Sequence, residues 1–132
     1  MLFLCYTSDS SNRLSELKGE NLFMLAEEKK IKQLKQKLMN LGPIHPGSIN
    51  KQFNVCGKAV CKCKDPKNPI KHGPYYQLSY TVAGKSSSKF LKEEELPEAK
   101  RQVERYKEFK KLIVEIAKSS VDSAKKTGFQ RR

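Results

Sequence analysis

The feature that most constrains this chain is a run of three cysteines and one histidine near its middle. Cys56, Cys61, Cys63 and His72 follow one another as Cys-x4-Cys-x-Cys-x8-His. Three thiolates and one imidazole match the ligand set of a closed tetrahedral structural zinc site. The spacing is not that of a double Cys-x2-Cys signature, and a Cys-x-Cys pair chelates one ion only if the backbone bends. The pattern favours a zinc-stapled loop over residues 56–72, named the Cys/His loop below.

Other interpretations of the cysteines stay open from the sequence alone. The thiols can be reactive or regulatory, or they can be simple reduced cysteines in a loop, since a cytoplasmic protein keeps thiols rather than disulfides. His45 ranks second as the nitrogen ligand because it precedes Cys56 by eleven residues. Cys5 lies far from the motif and is expected to be unrelated. A catalytic zinc is not expected, because a full Cys3His shell leaves no open coordination position.

A scarcity of apolar side chains explains why such a chain would need a metal. Leu, Ile, Val and Phe total 31 of the 132 residues, about 23%. Charged chains below roughly 20% are expected to stay disordered. Small domains with so little core commonly recruit a metal, a disulfide or a partner subunit. Structural zinc would contribute on the order of 10 kcal/mol to the folding of the Cys/His loop.

The positive charge of the chain is concentrated in the same segment. The chain has 27 Lys and Arg against 14 Asp and Glu, for a net charge of +13. Residues 41–90 contain eight lysines and a single acidic residue, Asp65. Lysine suits phosphates, whereas arginine is the usual reader of guanine edges, so contact with a nucleic-acid backbone, DNA being the expected polymer, is better supported than base reading. The candidate phosphate-binding residues are Lys51, Lys58, Lys62, Lys64, Lys67, Lys71, Lys85 and Lys89.

A helical pattern begins at Glu27, after a stretch without sustained periodicity. Residues 1–23 are expected to be a disordered or non-native extension, with Met24 as a candidate start. The helix should end at Gly42, and its stripe is too short for an independent coiled coil, so it is expected to pack on another helix. The residues that recur at spacings of three and four are Ile31, Leu34, Leu38 and Leu41.

A second helix is expected from about Pro97 to about Ala124. Proline suits the first helical turn, and neighbouring glutamates crowd the positive end of the helix dipole. A helix of about 28 residues is about 40 Å long, longer than so small a core covers, so a helix pair or a dimer is expected. Residues 125–132 should form a mobile basic tail. The predicted apolar face consists of Val103, Tyr106, Phe109, Ile113 and Ile116.

Between the helices lies an alternating pattern typical of a β-hairpin. Polar and apolar side chains alternate over residues 75–82, and Ala83-Gly84 supplies the turn. A three-residue loop puts Phe90 on the face of Leu78, whereas a two-residue loop puts Lys89 there. We favour the three-residue loop because it separates apolar from basic side chains. The apolar face should then pack on the second helix. The other face should either offer Ser, Thr and Lys to phosphates or be a plain solvated sheet surface.

The order of these motifs resembles a family of short bacterial and archaeal proteins of unknown function. The resemblance covers about residues 25–122 and rests on Cys-Gly-Lys-x-x-Cys-x-Cys from Cys56 and His-Gly-Pro-Tyr-Tyr from His72. It implies that the three cysteines and His72 belong to one motif, and that the protein is associated with mobile elements. It implies no activity, substrate or catalytic residue.

Together the patterns predict an α+β fold in one small domain over residues 24–124: an N-terminal helix, a metal-stapled loop, an antiparallel β-hairpin and a long amphipathic helix. The predicted function is a non-enzymatic, zinc-stabilised module that binds nucleic acid in the cytoplasm. The alternative is a protein-interaction adaptor that forms a homodimer through Ile31, Leu34, Leu38 and the second helix. An enzyme is not expected, because the sequence offers no carboxylate pair, phosphate-binding glycine loop or placed nucleophile. No apolar stretch is long enough for a membrane span.

Overall fold

The computed structural model describes residues 10–129, with side chains given from Leu22 onward. The strands form one antiparallel sheet in the order β1-β2-β3. The predicted α+β class is confirmed, with the Cys/His cluster in the loop between β1 and β2. The elements are α1 (Ser10–Met39), β1 (Ser48–Asn54), a short 3-10 helix (Lys62–Lys64), β2 (His72–Val82), β3 (Lys85–Leu91) and α2 (Leu96–Thr127).

The chain divides into two compact units. The sheet unit, Leu41–Lys110, holds the three strands, the Cys/His loop and the first half of α2. The helix unit consists of the described parts of Met1–Asn40 and Lys111–Arg132, which contain α1 and the second half of α2. Helix α2 contributes its first half to the sheet unit and its second half to the helix unit.

In the helix unit, α1 lies beside the second half of α2. Leu34 and Leu112 are each only 6% exposed, and the Nζ atom of Lys126 lies 3.5 Å from the centroid of the Phe23 ring. α1 begins at Ser10 rather than at Glu27, so residues 10–23, expected to be disordered, are helical. These residues lack an apolar period but contain good helix formers such as Leu, Glu and Lys. Residues 1–9, which include Cys5, lie outside the described part of the chain. The expectation that Cys5 is unrelated to the motif stays a prediction.

The bounds predicted for α2 are close to those observed, but the buried face differs. Val103 and Leu112 are buried, whereas Ile113, expected on the buried face, is 43% exposed. The buried face of α2 differs between its two halves, because Val103 belongs to the sheet unit and Leu112 belongs to the helix unit. Helix α2 also extends to Thr127, so the first residues of the predicted tail are helical, while residues 130–132 lie outside the described residues.

The turn between β2 and β3 has two residues, so the predicted three-residue loop is wrong. The register pairs Leu78 directly with Lys89. Ala83 and Gly84 have φ values of 50° and 75°, both positive as a type I′ turn requires. The twist of such a turn matches the twist of the strands it joins. The prediction relied on separating apolar from basic side chains, but the geometry of the turn determines the register instead.

The register sorts the strand side chains onto two faces. The inner face carries Leu78, which is buried together with Val103 of α2 at 5% exposure each. Lys89 shares this face because it lies directly opposite Leu78, and its Nζ atom forms an ion pair of 2.8 Å with Glu95. The prediction that Lys89 lies among the Ser and Thr side chains is therefore wrong.

The opposite surface of the sheet is named the outer face. It holds no charged side chain, and Lys85 is absent from it because that residue pairs with Val82 on the inner side. The outer face alternates with the inner one along each strand. Its residues are Ser48, Asn50 and Gln52 of β1, Tyr75, Gln77, Ser79 and Thr81 of β2, and Ser86, Ser88 and Phe90 of β3.

Candidate metal centre

The four predicted ligands meet at the end of the sheet where β1 stops and β2 begins. The Sγ atom of Cys61 lies 3.1 Å from Nε2 of His72, and the Sγ atoms of Cys56 and Cys63 are 3.5 Å apart. All four ligand atoms lie within 4.8 Å of one another. The edges of a tetrahedral zinc site, from its bond lengths, are about 3.5–4 Å long. The cluster can therefore hold one metal ion.

A tight turn allows the Cys-x-Cys pair, Cys61 and Cys63, to chelate one metal ion. The N–H of Lys64 donates a hydrogen bond of 2.9 Å to the carbonyl oxygen of Cys61, which closes the 3-10 turn. The chain then returns through Asp65, whose Oδ1 atom accepts the backbone N–H groups of Lys67 at 2.9 Å and Asn68 at 3.4 Å. The bent backbone that a Cys-x-Cys chelate requires is present.

The thiols differ in their affinity for protons. The backbone N–H of Cys63, followed by hydrogen bonds from the thiols of Cys56 and Cys63 and from His72, lowers the pKa of Cys61 to about 6. Burial raises the pKa of Cys63 above its ordinary value, in keeping with a residue only 4% exposed. The Cys61 thiol is therefore the more acidic of the two, and the Cys63 thiol holds its proton more tightly.

The Cys/His loop has no apolar core of its own. Val60 is 100% exposed and Ile70 is 58% exposed. Cys63 is the one buried residue within 56–72. The order of the loop thus rests on the Cys/His cluster and on the hydrogen bonds of its turns.

His45, the second-ranked ligand, lies outside the cluster, so that alternative is wrong. Its ring packs edge-on against Tyr80 with the centroids 5.0 Å apart, and its Nδ1 atom is 2.6 Å from the carbonyl oxygen of Pro46. Its backbone N–H donates to the carbonyl oxygen of Gln102 at 3.2 Å. These contacts tie the segment before β1 to α2, which is a structural role.

The eight candidate lysines are all exposed, but they do not share one surface. Lys51 lies on β1, and Lys89 is paired with Glu95 on the inner face. Lys85 lies beside the hairpin turn, at the far end of β2 from His72, a distance of roughly 33 Å along the strand. The remaining five lie on the Cys/His loop: Lys58, Lys62, Lys64, Lys67 and Lys71.

The charges of these five loop lysines are available to a ligand. None of the five forms an ion pair with any residue in the part of the chain that the structure describes. Asp65, the single carboxylate among them, is engaged by two backbone N–H groups. The loop therefore presents a concentrated positive charge around the candidate metal centre.

Two aromatic side chains of the outer face were missed by sequence reasoning. Tyr75 is 44% exposed and Phe90 is 56% exposed. Phe90 lies directly across from Gln77, which is two residues from Tyr75 on the same face of β2. For Phe90 the length of the hairpin turn was the signal, because a two-residue turn places it outward and a three-residue loop places it inward, whereas the alternation along β2 alone places Tyr75 on the outer face.

The sheet, the two long helices and the Cys/His cluster define a small α+β protein with a candidate metal centre. The chain belongs to the family described as Domain of unknown function (DUF6788), whose model matches residues 24–101. This match confirms the resemblance to a family of unknown function. No curated protein and no solved structure shows significant similarity to the chain. Among residues 10–129, no helix is long and apolar enough to cross a membrane.

Proposed function

We propose that this protein is a non-enzymatic, zinc-stabilised module that binds nucleic acid through the lysines of the Cys/His loop. One observation carries the proposal: four ligand atoms within 4.8 Å of one another lie on a loop that also holds five exposed lysines. The metal would order a segment without a core, and the ordered segment would present its charges together.

Zinc is the metal that best fits the donor set. Thiolates are soft ligands, and a Cys3His set with tetrahedral preference is typical of structural zinc. Zinc bound by Cys56, Cys61, Cys63 and His72 would cross-link the end of β1, the 3-10 turn and the start of β2. Three thiolates leave the bound site with one net negative charge, and the surrounding lysines offset that charge.

The loop lysines suit phosphate groups. Each lysine that neutralises a backbone phosphate releases a condensed counterion, so affinity rises with the number of such contacts and falls with added salt. Lysine carries no bidentate geometry for base edges, so this part of the binding should be independent of sequence. The expected association with mobile elements stays a prediction.

The absence of catalysis also stays a prediction, and the donor arrangement supports it. A Cys3His shell leaves no open position for substrate or water. Asp65, the single carboxylate within residues 56–72, accepts hydrogen bonds from the backbone N–H groups of Lys67 and Asn68.

The test combines metal analysis with a binding titration on the full chain. Elemental analysis should find about one zinc per chain, and fluorescence anisotropy should detect binding to labelled DNA that weakens linearly in log affinity against log salt. Stripping the metal with a chelator should weaken binding, and adding zinc back should restore it. A protein without zinc, or one that does not bind DNA even at low salt, would contradict the proposal.

A second candidate function, a helix-mediated dimer, is favoured by one observation. Val114 and Val121 lie seven residues apart on α2 and are 53% and 51% exposed. Leu34 of the predicted dimer stripe is instead buried within the chain at 6% exposure. Light scattering on the wild type and on Val114→Ser/Val121→Ser tests this: a monomeric wild type excludes the dimer, and a dimer dissociated by the substitutions supports it.

A further inference from the structure

The outer face of the sheet differs in chemistry from the rest of this basic protein. It combines uncharged Ser, Thr, Asn and Gln side chains with two exposed rings, Tyr75 and Phe90. Flat aromatic rings beside hydrogen-bonding groups suit stacking with other flat rings. The face therefore has the character of a binding platform.

Hydrogen bonds between side chains of neighbouring strands order the surface between the two rings. The Nε2 atom of Gln52 donates to Oε1 of Gln77 at 2.6 Å, and Nε2 of Gln77 donates to Oγ of Ser88 at 3.0 Å. Gln77 is thus fixed from both neighbouring strands, directly across from Phe90. The two rings are presented on a preorganised surface, which lowers the entropy lost when a ligand binds.

The two rings lie at the same end of the sheet as the loop lysines. Tyr75 follows the ligand His72 by three residues on β2, and Lys71 directly precedes that ligand. Phe90 lies near the end of β3, which pairs with the same part of β2. The aromatic rings and the unpaired cations of the loop therefore belong to the same end of the sheet.

We propose that the sheet unit binds single-stranded nucleic acid, with bases stacked on Tyr75 and Phe90 and phosphates on the loop lysines. The proposal rests on the proposed function and names its substrate class. Platforms of aromatic rings beside a positive groove bind single strands, because every unpaired base offers a π-face. In a duplex those faces are covered, and the uncharged outer face has no cation to attract the duplex phosphates.

The remainder of the outer face has room for the strand to continue. A shallow groove of about 570 Å³ lies towards the hairpin turn and is lined mainly by serine and threonine side chains of all three strands. Hydroxyl groups donate to and accept from bases and phosphates without strong preference for sequence. The expected binding is therefore tolerant of sequence.

The test compares ligands and variants in the zinc-loaded full chain. Anisotropy titrations use labelled oligo(dT), oligo(U) and a mixed-sequence duplex. The wild type should bind the single strands more tightly than the duplex, and Tyr75→Ala and Phe90→Ala should each weaken single-strand binding by about tenfold. Duplex binding and the salt slope should not change. The oligo(dT) and oligo(U) arms distinguish DNA from RNA.

Controls separate a lost ring from a lost fold. Val82→Ala removes a side chain of similar exposure, 53%, near the hairpin turn and should leave binding unchanged. Tyr75→Phe with Phe90→Tyr keeps both rings and should retain binding, whereas Tyr75→Leu with Phe90→Leu keeps apolar bulk and should not. Zinc content and the melting temperature of each variant establish that it is folded.

Each outcome has a distinct meaning. If the wild type binds no nucleic acid at low salt, the proposed function itself is wrong. If it binds single strands and duplex equally and the ring variants behave as wild type, the stacking proposal is overturned while the phosphate contacts of the Cys/His loop stand. Quenching of tyrosine fluorescence by oligo(dT), reduced in Tyr75→Phe, would further support stacking.

Discussion

The Cys/His loop and the β2–β3 hairpin are neighbours in the sheet unit, yet they obtain their order in different ways. The hairpin has a continuous ladder of backbone hydrogen bonds, a type I′ turn and a buried residue, Leu78. The loop has two short turns and apolar residues such as Val60 that are fully exposed. Because the loop has neither a ladder nor a core, the proposed metal would supply the stability that the hairpin obtains from both.

The two regions also treat their lysines differently. In the hairpin, Lys89 is neutralised by Glu95 on the inner face. In the loop, the five lysines have no ionic partner among residues 10–129. The available charge of the sheet unit is therefore concentrated around the candidate metal centre, and the predictions below test this contrast.

The largest effect is expected for Cys61→Ser. Loss of one ligand should release the metal and the folding free energy linked to it, which lowers Tm by at least about 10 °C in a small domain. Calorimetry and elemental analysis check both results. Hydrogen exchange should accelerate in residues 56–72 far more than in the hairpin.

A matched substitution isolates the role of the ligand. Val60→Ala lies next to Cys61 but alters a side chain that is 100% exposed, so its effect on the free energy of unfolding should be within about 0.5 kcal/mol. Equal melting curves for Cys61→Ser and the wild type would show that the loop does not depend on a metal.

The next effect concerns charge. Lys62→Gln with Lys64→Gln should weaken DNA binding and reduce the slope of log affinity against log salt by about two, since two phosphate contacts are lost. Lys85→Gln with Lys89→Gln should reduce it by less, because Lys89 is already paired with Glu95. If both pairs of substitutions reduce the slope equally, the loop lysines do not contribute more to DNA binding than the strand lysines do.

A smaller effect is expected at the hairpin turn. Gly84 has φ of 75°, so Gly84→Ala should destabilise the protein by about 1–2 kcal/mol through strain in the left-handed region. Ala83→Asn should stabilise it, because Asn-Gly is the preferred pair for a type I′ turn. Chemical denaturation measures both. If neither substitution changes stability, the turn is not of the two-residue type.

The smallest effect is a shift in proton affinity. The side chain of Lys89, followed by the backbone N–H of Lys92, lowers the pKa of Glu95 below its ordinary value. The ion pair therefore stabilises the fold at neutral pH, and this contribution is lost as the pH falls through the lowered pKa of Glu95. In Lys89→Gln the pKa of Glu95 should rise towards its ordinary value, as measured by NMR titration. An unchanged pKa would mean that Lys89 faces the outer side, as the three-residue loop requires.

The secondary structure was largely predictable where local patterns suffice. Proline near the start of α2 and the alternation along β2 predicted these elements with nearly correct bounds. The start of α1 was missed because residues 10–23 form a helix by intrinsic propensity, without the apolar period on which the prediction relied. Strand β1 was not predicted, since its residues are mostly polar and only pairing with β2 reveals it.

The site was predictable in its members but not in its surroundings. Residue chemistry and spacing selected Cys56, Cys61, Cys63 and His72, which the structure brings within 4.8 Å. Rejecting His45 required its contacts with Tyr80. The separation of the loop lysines from Lys51, Lys85 and Lys89 also depended on folding, because the strand register places these three on the inner face of the sheet.

The sequence by itself determined which residues can bind a metal, where the positive charge is concentrated and which segments form long helices, because these properties depend on residue type and local spacing. Only the tertiary structure decided which way the side chains of β3 face. Side chains alternate with a period of two, so a turn of two residues rather than three moves Lys89 inward and Phe90 outward. A single residue in the turn thus decides whether β3 presents Lys89 or Phe90 on the outer face.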